Sequence, residues 1–187
     1  IMNKREQVLE IIKQQIDQEN IIKHMLATEV CMEAIAREIG ETNIDEWKLA
    51  GLAHDLDYQD GISEEEHGTM TGQLLEQEGI KLPDNVLHAI AAHNYFHNNV
   101  KPKTNMAWAL YSVDSLTGLI VATALVMDGK LDNVSTENVL NRFEEKNFAA
   151  GARREDIQEC KQLGLSLEEF VDINLKAMQE INSRLGL

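Results

Sequence analysis

The sequence predicts an all-α protein with a single domain. Apolar residues recur at helical spacing along almost the whole chain, and no segment alternates apolar and polar residues as a strand would. The 187 residues are enough to bury one core, and they include only two prolines, no low-complexity tract and no internal repeat. We therefore expect residues 1–187 to form one helical bundle without a linker.

The first three predicted helices cover residues 4–17, 21–39 and 45–56. Gly40 follows the second helix at the position where a left-handed residue commonly ends one. The third helix is short and apolar and ends at the adjacent pair His54 and Asp55.

The remaining predicted helices begin at recognisable capping residues. Ser63 with Glu66 forms a capping box that predicts a helix running to Gly79, and Ser166 with Glu169 forms a second one. Asp84 and Thr104 are single capping residues for the helices between these two boxes. The helices that we predict in this part of the chain cover residues 63–79, 85–97, 105–127, 136–148, 153–163 and 166–184.

Residues 104–127 are the most apolar segment, and Asp114 is the one charged residue within it. Several polar side chains interrupt the segment, so it predicts a central core helix with a functional Asp and not a membrane span. The first ten residues are mixed and charged, unlike a signal peptide. Cys31 and Cys160 lack CxxC spacing and are interpreted as buried free thiols, which fits a cytoplasmic protein.

The formal net charge of −15 argues against a nucleic acid polymer as partner, because phosphate backbones bind through Lys and Arg. It does not exclude a small phosphorylated substrate, since a bound metal ion inverts the local field. Lys101, Lys103, Arg153 and Arg154 are interpreted as solvated surface residues, with phosphate binding as the alternative.

Six polar residues in helix-like segments carry the functional prediction, and they include four of the six histidines. Imidazole nitrogens and carboxylate oxygens together suit divalent transition metals, which activate water at neutral pH. A structural role is the alternative for each of them, and it is weakest for Asp114, because an Asp rarely lies unpaired in an apolar helix. Gly118, four residues later, predicts a close backbone approach beside Asp114. The six residues are His24, His54, Asp55, His67, His93 and Asp114.

The segments HMLATE, LAGLAHDLDY, EEHGTMTG, AIAAHN and YSVDSLTG resemble the successive blocks of the HD-domain phosphohydrolase superfamily. They span about residues 20–130, and residues 131–187 would be a C-terminal helical extension. The resemblance implies one or two divalent transition metal ions, such as Fe, Mn, Zn, Ni or Co.

The resemblance also implies a role for each of the six residues. His24, His54, Asp55 and Asp114 would bind one ion. His67 and His93 would bind a second ion, with Asp55 as the bridging and catalytic residue.

The sequence departs from the family pattern at two positions. Asn94 stands where some members have the second of two adjacent histidines. Tyr58 stands where nucleotidase-type members with one metal often have a Glu, although Asp57 lies beside it.

The function implied by the resemblance is metal-dependent hydrolysis of a nucleotide or another small phosphoester by a metal-activated water. An HD-like di-iron oxygenase has the same ligand inventory and remains an alternative. A non-catalytic sensor of a metal or nucleotide, or a plain helical bundle, are further alternatives. The helices after residue 130 would cover the site or form the contact of a homodimer.

Overall fold

The computed structural model describes residues 2–187, and this part of the chain is helical and without strands, which confirms the predicted fold class. Two short 3-10 segments, Leu131–Asn133 and Glu159–Leu163, lie between the later α-helices. The α-helices are α1 (Lys4–Gln15), α2 (Glu19–Glu38), α3 (Ile44–Ala53), α4 (Thr71–Gln77), α5 (Asp84–His93), α6 (Tyr95–Asn98), α7 (Asn105–Leu125), α8 (Thr136–Glu144), α9 (Arg154–Gln158), α10 (Leu167–Gln179) and α11 (Asn182–Leu185).

The long helix α7 lies at the centre of the bundle. It contacts α2, α5, α8, α9 and α10, and its buried side chains join one hydrophobic core that runs from Val8 to Leu185. Its length and composition alone would allow it to cross a membrane, but 61% of its most apolar stretch is buried inside the fold. We therefore interpret α7 as the core helix that the sequence predicted.

Helices α2 and α3 pack more extensively on each other than any other pair in residues 2–187. Gly51 makes this contact possible, because a Cβ atom there would lie 2.8 Å from the carbonyl oxygen of Thr28 and 2.9 Å from Cα of Glu29. The contact brings the end of α3, which carries His54, beside the first turns of α2, which carry His24.

Two predicted helix starts are confirmed by hydrogen bonds. The side chain of Thr104 accepts a hydrogen bond from the backbone N–H of Ala107 at the start of α7. Ser166 and Glu169 form the predicted capping box at the start of α10.

The helix predicted from Ser63 is wrong in its start, because the helix in this region begins at Thr71. Ser63 and Glu66 do contact each other, but they close only a turn. Gly68 follows with φ +87°, a left-handed conformation that ends any helix, and its N–H points to the carboxylate of Asp57. Helix α4 is therefore shorter than the helix that Ser63 and Glu66 predicted.

Three further sequence interpretations, which concern residues 84–118, are wrong. Asp84 does not cap α5 but is its first residue, and the N-cap, Pro83, offers no side-chain hydrogen bond. Gly118 makes no close approach, since a Cβ atom there would meet nothing within 4 Å. The helix predicted over 85–97 is interrupted at Asn94, which separates α5 from α6.

The later predicted helices are also shorter or divided in the structure. The helix predicted over 136–148 ends at Glu144, and the one over 153–163 is α9 followed by a 3-10 segment. The helix predicted over 166–184 is divided into α10 and α11.

Arg154 holds the turn between α8 and α9 and is not the solvated residue that the sequence suggested. Its guanidinium group donates hydrogen bonds only to backbone carbonyl groups, and burial lowers its pKa. The carbonyl oxygens belong to Arg142, Phe143, Glu145, Phe148, Ala149 and Ala152.

Candidate metal centre

The six predicted residues converge on one site, although they come from five parts of the chain. His24 lies on α2, His54 and Asp55 lie just after α3, and the turns before α4 carry His67. The last two are His93, the final residue of α5, and Asp114, in the middle of α7.

The first group of donor atoms belongs to His24, His54, Asp55 and Asp114. The Nε2 atoms of the two histidines are 3.1 Å apart, and His24 Nε2 lies 2.9 Å from Asp114 Oδ1 and 3.5 Å from Asp55 Oδ2. His54 Nε2 lies 3.3 Å from Asp55 Oδ1 and 3.7 Å from Asp114 Oδ1. Two nitrogens and two carboxylates therefore face one small volume.

The second group consists of His67 and His93 with the same Asp55. The Nε2 atoms of His67 and His93 are 3.1 Å apart and lie 3.3 and 3.5 Å from Asp55 Oδ1. Asp55 thus lies between the two groups, and among residues 2–187 it is the one carboxylate that contacts both pairs of histidines.

Backbone carbonyl groups fix two of the imidazole rings. Nδ1 of His54 lies 2.8 Å from the carbonyl oxygen of Gly51, and Nδ1 of His93 contacts the carbonyl oxygen of Ile90. A carbonyl oxygen only accepts, so each Nδ1 carries the proton. A ring that binds a metal ion is neutral, and its lone pair is then on Nε2, which faces the site.

Side chains fix the other two rings in the same sense. Nδ1 of His67 donates to Oδ1 of Asp57 at 2.8 Å. Nδ1 of His24 lies 3.1 Å from the hydroxyl oxygen of Thr117, whose own hydrogen is donated to the carbonyl oxygen of Asp114 at 2.8 Å. The hydroxyl oxygen therefore accepts from His24, and all four Nε2 atoms face the centre.

This donor set fits divalent transition metal ions. Two Nε2 atoms 3.1 Å apart that both present lone pairs repel each other unless a cation lies between them, so a shared metal ion fits each pair. Two imidazoles that bind one ion at about 2.1 Å have nitrogens about 3.0 Å apart in octahedral and about 3.4 Å apart in tetrahedral geometry, and each pair here is 3.1 Å apart. His24, His54, Asp55 and Asp114 could hold one ion, and the remaining two histidines with Asp55 a second.

The two carboxylates remain ionised in this surrounding. Burial alone would raise the pKa of Asp55, but positive charge on His54 and hydrogen bonds donated by protonated His67 and His93 would hold it well below its usual range, and a bound cation would act in the same direction. Burial would likewise raise the pKa of Asp114, but hydrogen bonds and positive charge from His24 and His54 would hold it well below its usual range. Both side chains can therefore serve as anionic ligands at neutral pH.

Asp57 also belongs to the site, although the sequence alone does not show where its side chain points. Its side chain is fully buried, and it accepts hydrogen bonds from Nδ1 of His67 and from the N–H groups of Gly68, Met70 and Thr71 at 2.8–3.1 Å. Burial would raise its pKa, but these donors lower it. Asp57 therefore orients His67 and caps α4 at the same time. In the sequence, a second carboxylate within an apolar segment was the one indication of this role.

The centre lies in an open cleft of about 1060 Å³. Tyr58, Phe96 and His97 line the cleft near the site, and the segment from Gly151 to Asp156 contributes to its wall. Arg153 also lines the cleft, and 37% of its side chain is exposed, so it is a solvated residue of the cleft wall.

The comparisons with known proteins agree with this geometry. No curated protein and no solved structure matches the chain. A family model for the HD domain matches residues 21–119, which are more than half of the chain and include all six converging residues. The chain therefore belongs to the HD domain family, as its sequence blocks suggested.

Proposed function

We propose that the protein is a metal-dependent phosphohydrolase that acts on a nucleotide or another small phosphoester. The observation that carries the proposal is the position of Asp55, which lies between two pairs of imidazole nitrogens within an open cleft. The HD domain family generally comprises metal-dependent phosphohydrolases, which supports the same conclusion.

Divalent ions held by the six residues would lower the pKa of water towards neutrality and offset negative charge on a phosphoryl oxygen. Asp55 is the residue that we assign to this chemistry directly. Its Oδ2 faces His24 and its Oδ1 faces the other three imidazoles, so its carboxylate could serve as a ligand in both groups of donors. As an ionised carboxylate it also accepts a hydrogen bond from the attacking water and orients it.

The histidines contribute by keeping their protons away from the centre. Each Nδ1 has an acceptor in the protein, so each Nε2 presents its lone pair in one fixed direction. This preorganisation reduces the reorganisation needed when substrate and water enter.

The cleft and the charge of the chain support a small substrate. A volume of about 1060 Å³ accommodates a mononucleotide or a molecule of similar size. The net charge of −15 disfavours a nucleic acid polymer, whose backbone needs an extended basic surface. We place the protein in the cytoplasm, which the buried free thiols of Cys31 and Cys160 support.

The test begins with the metal content of protein purified without added metal. It continues with phosphate release from a panel of nucleotides and small phosphoesters, with the parent and Asp55→Ala compared at equal protein concentration. We expect release by the parent and none by the variant.

Two results would replace the proposal. Bound iron with visible absorbance and O₂ consumption, without phosphate release, would assign an oxygenase. Nucleotide binding without turnover would assign a sensor.

A further inference from the structure

Arg153 is the one Lys or Arg side chain among the described residues that line the cleft. All other charged groups that line the cleft, apart from histidines, are carboxylates, and two of them, Asp17 and Asp60, form no ion pair within residues 2–187. The carboxylates are those of Asp17, Asp55, Asp57, Asp60, Glu64, Asp114 and Asp156. A single guanidinium group in such a wall is the attractive point for an anionic ligand.

Arg153 is held in place from two directions. Its Nε donates to Oδ2 of Asp156 at 2.9 Å, and its guanidinium carbon lies 3.8 Å above the ring of Phe96. Asp156 is itself buried and accepts a second hydrogen bond, at 2.7 Å, from the hydroxyl group of Tyr111. These contacts fix the plane of the guanidinium group without using its terminal nitrogens.

The terminal nitrogens of Arg153 donate no hydrogen bond within residues 2–187, and 37% of the side chain is exposed. The neighbouring Arg154 shows what a structural arginine does in this fold, because its donors are used on backbone carbonyl groups. Arg153 instead leaves a pair of parallel donors available in the cleft, the arrangement that binds carboxylate and phosphate oxygens.

The chain of contacts that holds Arg153 begins close to the metal centre. Tyr111 precedes Asp114 by three residues on α7, so the two side chains share one face of that helix. Burial raises the pKa of Asp156, and the nearby charge of Asp114 raises it further. The metal centre and Arg153 line the same cleft, so a ligand bound at the centre lies near Arg153.

We propose that Arg153 binds an oxyanion of the substrate and makes the cleft selective for small anionic molecules. This role rests on the proposed hydrolase function and adds to it a specificity-determining residue outside the matched residues 21–119. The oxyanion is either the phosphoryl group that enters the metal centre or a second anionic group of the same substrate.

The test compares three variants. Arg153→Met keeps an apolar side chain against Phe96 but removes the hydrogen-bond donors. Arg153→Lys keeps the positive charge but removes the pair of parallel donors. Arg142→Ala is the matched control, because Arg142 also stacks on an aromatic ring, Phe148, and pairs with Glu145 outside the cleft. Calorimetric titration of the metal-loaded proteins with inorganic phosphate gives a readout independent of turnover, and metal analysis shows that the centre is intact.

We expect Arg153→Met to weaken anion binding, or to raise KM, by about tenfold or more with metal content unchanged. Arg153→Lys should lie between it and the parent, and Arg142→Ala should match the parent. Weaker binding of phosphate and of 4-nitrophenyl phosphate assigns the phosphoryl group as the oxyanion. A defect seen only with a nucleoside 5′-diphosphate, titrated or turned over, assigns a second anionic group.

The inference is overturned if Arg153→Met and Arg142→Ala behave alike with every probe. Failure of the hydrolase proposal gives a different result, namely phosphate binding that depends on Arg153 in a protein that hydrolyses no phosphoester.

Discussion

Nδ1 of His67 lies 2.8 Å from Oδ1 of Asp57, a carboxylate that is fully buried and ten residues earlier in the chain. The other oxygen of Asp57 accepts hydrogen bonds from the backbone at the start of α4. One side chain therefore sets both the ring orientation of a proposed ligand and the first residue of a helix.

Asp57→Asn should lower both stability and metal loading. The amide places an NH₂ group among N–H donors, which should cost about 2–4 kcal/mol of unfolding free energy. Asp60→Asn is the control, since Asp60 is exposed in the same loop. Denaturant unfolding and metal analysis of both variants check the prediction, and equal behaviour of the two would remove the positioning role of Asp57.

His67→Ala should reduce the metal content from about two ions per chain to about one, because the other group of donors keeps its four ligands. His97→Ala should retain the content of the parent, because His97 lines the cleft but pairs with Glu64 instead of facing Asp55. Elemental analysis after identical purification decides, and unchanged stoichiometry in His67→Ala would show that His67 is not a ligand.

Asp55→Ala should abolish metal binding and turnover while leaving the helices intact. The helices are stabilised by buried Leu, Ile, Val and Met side chains, whereas both groups of donors depend on this carboxylate. If Asp55 were only a capping residue, its loss would cost about 1 kcal/mol of stability and leave activity unchanged. Circular dichroism together with a metal-supplemented phosphoester assay distinguishes the two.

Gly51→Ala should destabilise the protein by about 2–3 kcal/mol, because the added Cβ would overlap the backbone of α2. Gly118→Ala should be neutral or stabilise by about 0.5–1 kcal/mol, since it adds a methyl group to an exposed helical position with open space around it. Chemical unfolding of the pair tests the close approach of α2 and α3. Equal effects would contradict it.

Asp156→Asn should change the pH dependence of stability. Burial raises the pKa of Asp156 in the folded state above its unfolded value, so the folded state holds its proton longer and the parent loses stability as pH rises through this interval. The variant lacks this proton, and its stability relative to the parent should increase as pH rises from the ordinary Asp pKa of about 4 through the raised pKa of the folded state. Unfolding free energies across this range, at matched metal content, provide the measurement.

The order of the six site residues and the capping residues of α7 and α10 could be predicted because each depends on local pattern. Ser63 with Glu66 has the same pattern as Ser166 with Glu169, yet only the second pair starts a helix. The difference comes from Gly68 and from the distant acceptor Asp57, which compete with helical hydrogen bonds. Tertiary contacts of this kind cannot be predicted from the spacing of residues along the sequence.

The arginines show the same limit. Arg153 and Arg154 are adjacent and look alike in sequence, but one side chain lines the cleft and the other is enclosed by carbonyl groups. Which way each points depends on the turn between α8 and α9, whose shape no periodic pattern encodes.

Arg154 has a consequence for how this family member can diversify. It fixes the turn from 142 to 152 through carbonyl groups, which every amino acid has, so the side chains of that turn are released from holding its shape. Mutations can then accumulate at the exposed positions 144–147 and 150 at little cost to the fold, while Gly151 and Arg153 keep their place in the cleft wall. Substrate preference can evolve in this turn independently of the buried metal ligands.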